Sequence, residues 1–205
     1  DDKWKVDLGL SVAKELVMRE EVDVIVGTIN TSVAVAISDY VKGEKMPFIV
    51  WISKSEHITG SKGHRYVFST GENTAMAGKA GGSALAKKPY VKYWIGGDDY
   101  EYGHAIAEAI WRNLKAQKPS VEKIGETWWK TGEPDLIPYF TSVMTAKPDA
   151  FIVCGGGQTM TNSLKACKTT GILEKIPVFM HTATDHAVLK PLGLDAPEGV
   201  MVTMD

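Results

Sequence analysis

The chain has 205 residues, of which 44% are hydrophobic and 23% charged, with a formal net charge of −2 at pH 7. That balance excludes intrinsic disorder and collagen-like repeats, allows a core without disulfide staples, and leaves no basic face for nucleic acid or a polybasic patch for a membrane surface. No apolar run approaches the roughly 18 residues of a membrane span, and no secretory leader is visible at Asp1-Asp2-Lys3, as a mature or trimmed chain would also show.

Short apolar runs alternate with helical patterns along the chain. Residues 12–20 carry helical spacing and 22–26 (VDVIV) read as a strand. A helix over 32–41 and a strand over 48–51 follow. The stretch 66–72 (YVFSTGE) reads as a link between two halves. Next come a helix over 74–86, a strand over 90–95 and a helix over 102–117. In that last helix Ile106, Ile110, Trp111 and Leu114 recur three and four apart, the period of one helix face. The second half continues with a strand over 123–128, a helix over 135–145, a strand over 150–154 and a helix over 160–169. Strands over 178–180 and 200–203 close it. The strands are near-continuously apolar, which predicts burial on both faces of parallel sheets. Strand–helix alternation then implies right-handed crossovers and an α/β fold. Asp135 is placed to cap the helix after Pro134, Lys147-Pro148 to end it, and Gly171 to end the next.

Few motifs carry chemistry. There is no phosphate loop, no glycine fingerprint for a dinucleotide and no strained-elbow serine, so no catalytic constellation is predicted. Cys154 and Cys167 read as inert thiols on a strand and a helix. His181 and His186 stand five apart around a turn and read, like His57, His64 and His104, as loop or surface histidines rather than a metal pair. Asp98-Asp99 reads as a solvated turn entering the helix at Tyr102. Gly155-Gly156-Gly157 follows a strand and precedes a helix, either as a tight turn or as backbone lining a ligand.

Two strand ends are richer. Gly27-Thr28-Ile29-Asn30-Thr31-Ser32 joins a strand's carboxyl end to a helix start carrying hydroxyls and free N–H groups. It is either a simple N-cap or a seat for an anion such as a carboxylate. Trp51-Ile52-Ser53-Lys54-Ser55 ends the next strand with hydroxyls and a cation, which either meets an anion or stays an exposed loop lysine.

The order of these pieces resembles the leucine/isoleucine/valine-binding family of type I periplasmic binding proteins. VDVIVGTINTSVAVAISDY, MPFIVWISKSEHIT, YWIGGDDYEYG, KPDAFIVCGGGQTMTNSLKACKTTGI, PVFMHTATD and PEGVMVTMD carry the likeness. The helix-entry run, with its Asp and following Tyr-Gly, is the most specific. The resemblance implies a two-lobe α/β fold of parallel sheets sandwiched by helices. It makes 1–71 a partial N-terminal lobe, the first lobe being incomplete, and 72–205 a C-terminal lobe ending at the return crossover. The chain is then a fragment.

The same resemblance implies a non-enzymatic solute-binding component of an ABC transporter, periplasmic or extracellular and possible as a lipoprotein. Its partners would be a small carboxylate-bearing ligand and an inner-membrane permease, without nucleic acid, cofactor or metal. Carried over residue by residue, ligand contacts fall on Thr31 and Ser32, on Ile52, Ser53 and Lys54, on Tyr102, on Gly157 and Gln158, and on Ala183 and Thr184. One departure stands out. The acid that holds a ligand ammonium falls on or near Ala183, with Asp185 two residues beyond. A buried ammonium without its counter-charge costs several kcal/mol, roughly. With Lys54 present, the expectation is a carboxylate lacking an amine; an amino acid and a neutral amide or urea are the alternatives. A sensor or receptor domain of the same fold is the second functional class, and a flavodoxin-like enzyme, lacking its phosphate loop, the third.

Overall fold

The computed structural model describes residues 1–203, so Met204 and Asp205 of the PEGVMVTMD run lie outside the described residues. The chain divides into two compact units, Asp1–Thr74 and a second that begins at Ala75.

The first unit contains α1 (Val6–Met18), β1 (Ile25–Gly27), α2 (Thr31–Glu44), β2 (Phe48–Val50) and β3 (Val67–Ser69). Its strands pair in parallel in the order β1-β2-β3, with Ile25, Phe48 and Val67 in register. Those residues and Val50 face the helices, where Ala13 of α1 and Val33, Ile37 and Val41 of α2 complete a core. The 3.6-residue period puts the α2 residues on one stripe. Two expectations change here. YVFSTGE is not merely a link, since β3 lies within it. The sheet is also not buried on both faces: in the neighbouring register Val26 and Phe68 are 63% and 53% exposed. In addition, α1 begins at Val6, well before the predicted start, and α2 begins at Thr31 rather than Ser32 because Asn30 caps it.

The second unit contains α3 (Thr74–Ala86), which opens on the boundary, then β4 (Lys92–Asp98), α4 (Glu101–Gln117), β5 (Glu122–Trp129) and α5 (Ile137–Ala146). It continues with β6 (Ala150–Cys154), α6 (Gln158–Thr170), β7 (Val178–His181), the single-turn α7 (His186–Leu189) and β8 (Met201–Thr203). All strands are parallel, in the order β5-β4-β6-β7-β8. Here both faces are covered. Phe151, Val153 and Met180 pack on Phe140 and Leu164 from α5 and α6. Tyr93, Ile95, Ile152 and Phe179 pack on Ile106, Ile110 and Leu114 from α4. Every residue of β6 and β7 is buried, as a continuously apolar parallel strand requires.

Helix ends follow local chemistry. Gly171 adopts φ 64° and closes α6, and Lys147 does the same at φ 52° before Pro148. Asp135 stands one position outside the cap yet accepts the Ile137 N–H at 3.0 Å. Among the described residues no helix is long and apolar enough to cross a membrane.

Candidate ligand-binding site

In open parallel sheets, ligands gather outside the carboxyl ends of the strands. Each unit has such a rim.

In the first unit, β1 runs into α2 through Thr28-Ile29-Asn30. The Asn30 side chain accepts the Val33 N–H at 3.2 Å, fixing the first turn. Thr31 is 1% exposed and Ser32 half-buried. At the end of β2, Trp51 and Ile52 are exposed and Ser53 is buried. The Ser53 hydroxyl donates to the carbonyls of Thr28 and Ile29 at 2.7 and 3.1 Å. Thr28 donates its own hydroxyl to the Asn30 carbonyl at 3.0 Å. Ser53 therefore braces the β1–α2 turn. Lys54, expected to meet an anion or stand free, is ion-paired with Glu72 at 2.8 Å. Thr31, Ser32, Ile52, Ser53 and Lys54 thus lie at the carboxyl ends of two paired strands, with the charge of Lys54 already matched.

A cavity of about 360 Å³ also opens in this unit, beside the edge strand β1. Trp4, Val12, Leu16, Val26 and Val33 make it mainly apolar, and of the strand-end groups it reaches Thr28, Ile29, Asn30 and Trp51. None of the predicted site residues lines it, and its scarcity of convergent donors suits a carboxylate poorly.

In the second unit the chain passes from β4 to β5 on one side, then crosses back to β6 on the other side of β4, so the crevice falls between β4 and β6. Asp98 ends β4 there and is 1% exposed. Its Oδ2 accepts the Gly156 N–H at 3.4 Å. Burial pushes its carboxyl up to about 6, opposed by Thr159, Gly156 and Trp129. The expected solvated turn is thus half right: exposed Asp99 pairs with His104 at 2.8 Å, while Asp98 is interior. The packing is close. A Cβ on Gly103 would strike the Asp98 carbonyl oxygen, and one on Gly155 would lie 2.5 Å from Asp98 Oδ2.

Around this knot stand Tyr102, with its ring centroid 6.1 Å from Tyr100 and 6.5 Å from His181. Gly157 and Gln158 are exposed at the start of α6, where Gln158 donates to Asn162 at 3.0 Å. At the end of β7, His181, Thr182 and Ala183 are buried and Thr184 is exposed. His181 was not expected in the interior; its Nδ1 lies 2.8 Å from the Thr203 hydroxyl. The signal for it was present, since it continues the apolar run Val178-Phe179-Met180. No acidic side chain occupies position 183, and Asp185 is exposed at the start of α7. Among the described residues no cluster of His, Cys, Asp or Glu has metal-holding geometry.

Parallel α/β units with polar, aromatic and glycine-lined strand ends are those of an open-sheet ligand-binding protein, and the comparisons give the class as the type I periplasmic-binding fold. A sequence profile of periplasmic binding proteins matches residues 1–205, and the chain belongs to that family. A solute-binding protein of an ABC transporter from Rhodopseudomonas palustris BisB5, in complex with 3,4-dihydroxybenzoic acid, is 25% identical, with a TM-score of 0.79 over 89% of this chain and 50% of its own. Another from R. palustris, in complex with benzoate, is 20% identical with a TM-score of 0.81 over 94% and 52%. An amino acid ABC transporter substrate-binding protein from Pseudomonas fluorescens Pf-5 is 21% identical, with a TM-score of 0.79 over 98% and 54%. The chain spans about half the length of each of these proteins. No functionally curated protein matches it.

Proposed function

We propose that the protein is the solute-binding component of an ABC transporter, taking a small carboxylate that lacks an amine, an aromatic acid above all. It would act in the periplasm or outside the cell and deliver its ligand to an inner-membrane permease. Binding rather than catalysis is its role.

The ligand class rests on one observation: the position that resemblance assigns to the ammonium-holding acid is Ala183, small and 2% exposed. Asp185 lies on the exposed start of the next helix instead. Tyr102 and His181, 6% and 1% exposed, pack just behind the second unit's rim, an aromatic backing suited to a ring. The R. palustris relatives in complex with 3,4-dihydroxybenzoate and benzoate support the same class. The carboxylate would be held by N–H groups at the start of α2, where the helix dipole favours negative charge.

Thermal melting of the intact protein with 3,4-dihydroxybenzoate, benzoate, leucine and valine tests this. A ligand at 100 times its dissociation constant stabilises by about 2.7 kcal/mol. Shifts with the aromatic acids alone are expected. A shift with leucine or valine overturns the ligand class, and no shift with any compound overturns the proposed binding activity.

A further inference from the structure

We propose that Lys54 is a positioning residue: its ion pair with Glu72 clasps the ligand loop after β2 to the segment that leaves the first unit. The inference deepens the binding reading above and rests on it for the ligand's part.

Hydrogen bonds and an ion pair join the two stretches. Thr70 N–H donates to the Val50 carbonyl at 3.1 Å, and Thr74 N–H to the Lys54 carbonyl at 2.7 Å. Glu56 N–H donates to the Thr74 hydroxyl at 3.0 Å. Lys54 Nζ donates to Glu72 Oε1 at 2.8 Å. The Lys54 and Glu72 side chains are only 18% and 28% exposed, so salt screens this pair less than an ordinary surface pair. Thr74 is fully buried and is the last residue of the first unit. One residue before Lys54, Ser53 holds the β1–α2 turn through the Thr28 and Ile29 carbonyls. A continuous chain of hydrogen bonds therefore runs from the start of α2, through Ser53 and Lys54, to the exit segment. Lys54 contributes both its carbonyl and its ammonium to that chain.

This assigns Lys54 a role different from direct charge pairing with a ligand carboxylate, and the two roles separate cleanly. If Lys54 met the ligand, removing Glu72 would take away a competitor for the cation and strengthen binding. As a clasp, either partner's loss has the same effect.

The first measurement is amide hydrogen exchange without ligand on wild type, Lys54→Met and Glu72→Gln. The Thr74 and Glu56 amides are expected to exchange faster in both variants, while the core amides of α4 stay unchanged. Unchanged exchange at Thr74 and Glu56 overturns the clasp, whatever the ligand proves to be. The second is titration with 3,4-dihydroxybenzoate. Each single variant is expected to bind roughly fivefold to tenfold more weakly, with the double variant no worse than either single, the mark of a coupled pair. Lys54→Arg is expected to restore wild-type binding, and the exchanged pair Lys54→Glu with Glu72→Lys to restore part of it. Tighter binding by Glu72→Gln overturns the proposal in favour of direct contact. If wild type fails to bind the probe, the functional reading falls while the exchange data still judge the clasp.

Discussion

Burial of Asp98 at the end of β4 makes the molecule's pH response legible at a single carboxyl. Its folded value of about 6 stands above the ordinary 3.8. The folded state therefore holds a proton that the unfolded chain releases, and the group's contribution favours folding at low pH and opposes it as pH rises through that window. Two pK units correspond to about 3 kcal/mol at most. Urea unfolding of wild type and Asp98→Asn is expected to show wild type gaining up to about that amount over the variant between pH 7 and pH 4. Asp149 and Asp195, held below the usual carboxylate range by the Lys92 and Val91 amides and by Lys168, have the opposite sign and cancel in the comparison. Nothing in adjacent aspartates distinguishes the two environments; the glycines that close around Asp98, at 103 and 155, supply the missing information only once the strands are paired. Lys54 is a similar case. A cation at a strand end reads as a ligand contact, and its partner Glu72 is brought near by β3, an element the sequence reading did not assign. By contrast, buried Cys154 and the glycine-ended α6 were readable locally, because each depends on neighbours in sequence.

The elements themselves were readable where the pattern was long. The α3 bounds of 74–86 follow from sequence, and so do the buried strands β6 and β7. Missed elements owe their form to partners: β3 is three residues, a strand because β2 offers it a ladder. Helix α3 is instructive for the opposite reason. Its glycines 78, 81 and 82 weaken an isolated helix by roughly 1 kcal/mol each. Packing explains them. A Cβ on Gly78 would strike Ala109, and one on Gly82 would sit 2.7 Å from the Asn113 Cβ and 2.8 Å from the Leu114 amide nitrogen. Gly82→Ala should therefore destabilise, the overpacking of about 1–3 kcal/mol outweighing the better propensity. Lys79→Ala, on the exposed face, should stay within about 0.5 kcal/mol of wild type. Urea midpoints of the two variants make the comparison; a stabilised Gly82→Ala would show that α3 and α4 are not held at this separation.

The two units differ most in how their sheets are covered. In the second, helices lie on both faces, as the uninterrupted apolar strands led one to expect. In the first, the same kind of sequence yields a sheet with Val26 and Phe68 open to solvent and β1 at its edge. Composition does not reveal which apolar strands will have a second layer, because that depends on what packs against them. Patches of this kind are liabilities in free solution. Their effect is collisional. Loss of soluble protein in the 205-residue chain should follow second-order kinetics, its half-time shortening as concentration rises, while the melting of each molecule stays the same. Phe68→Ser with Val26→Thr should slow light scattering on warming without lowering the melting temperature, since neither side chain is part of the core. For the 205-residue chain, a bare sheet face would then set shelf life, a property of encounters between molecules rather than of the fold within one.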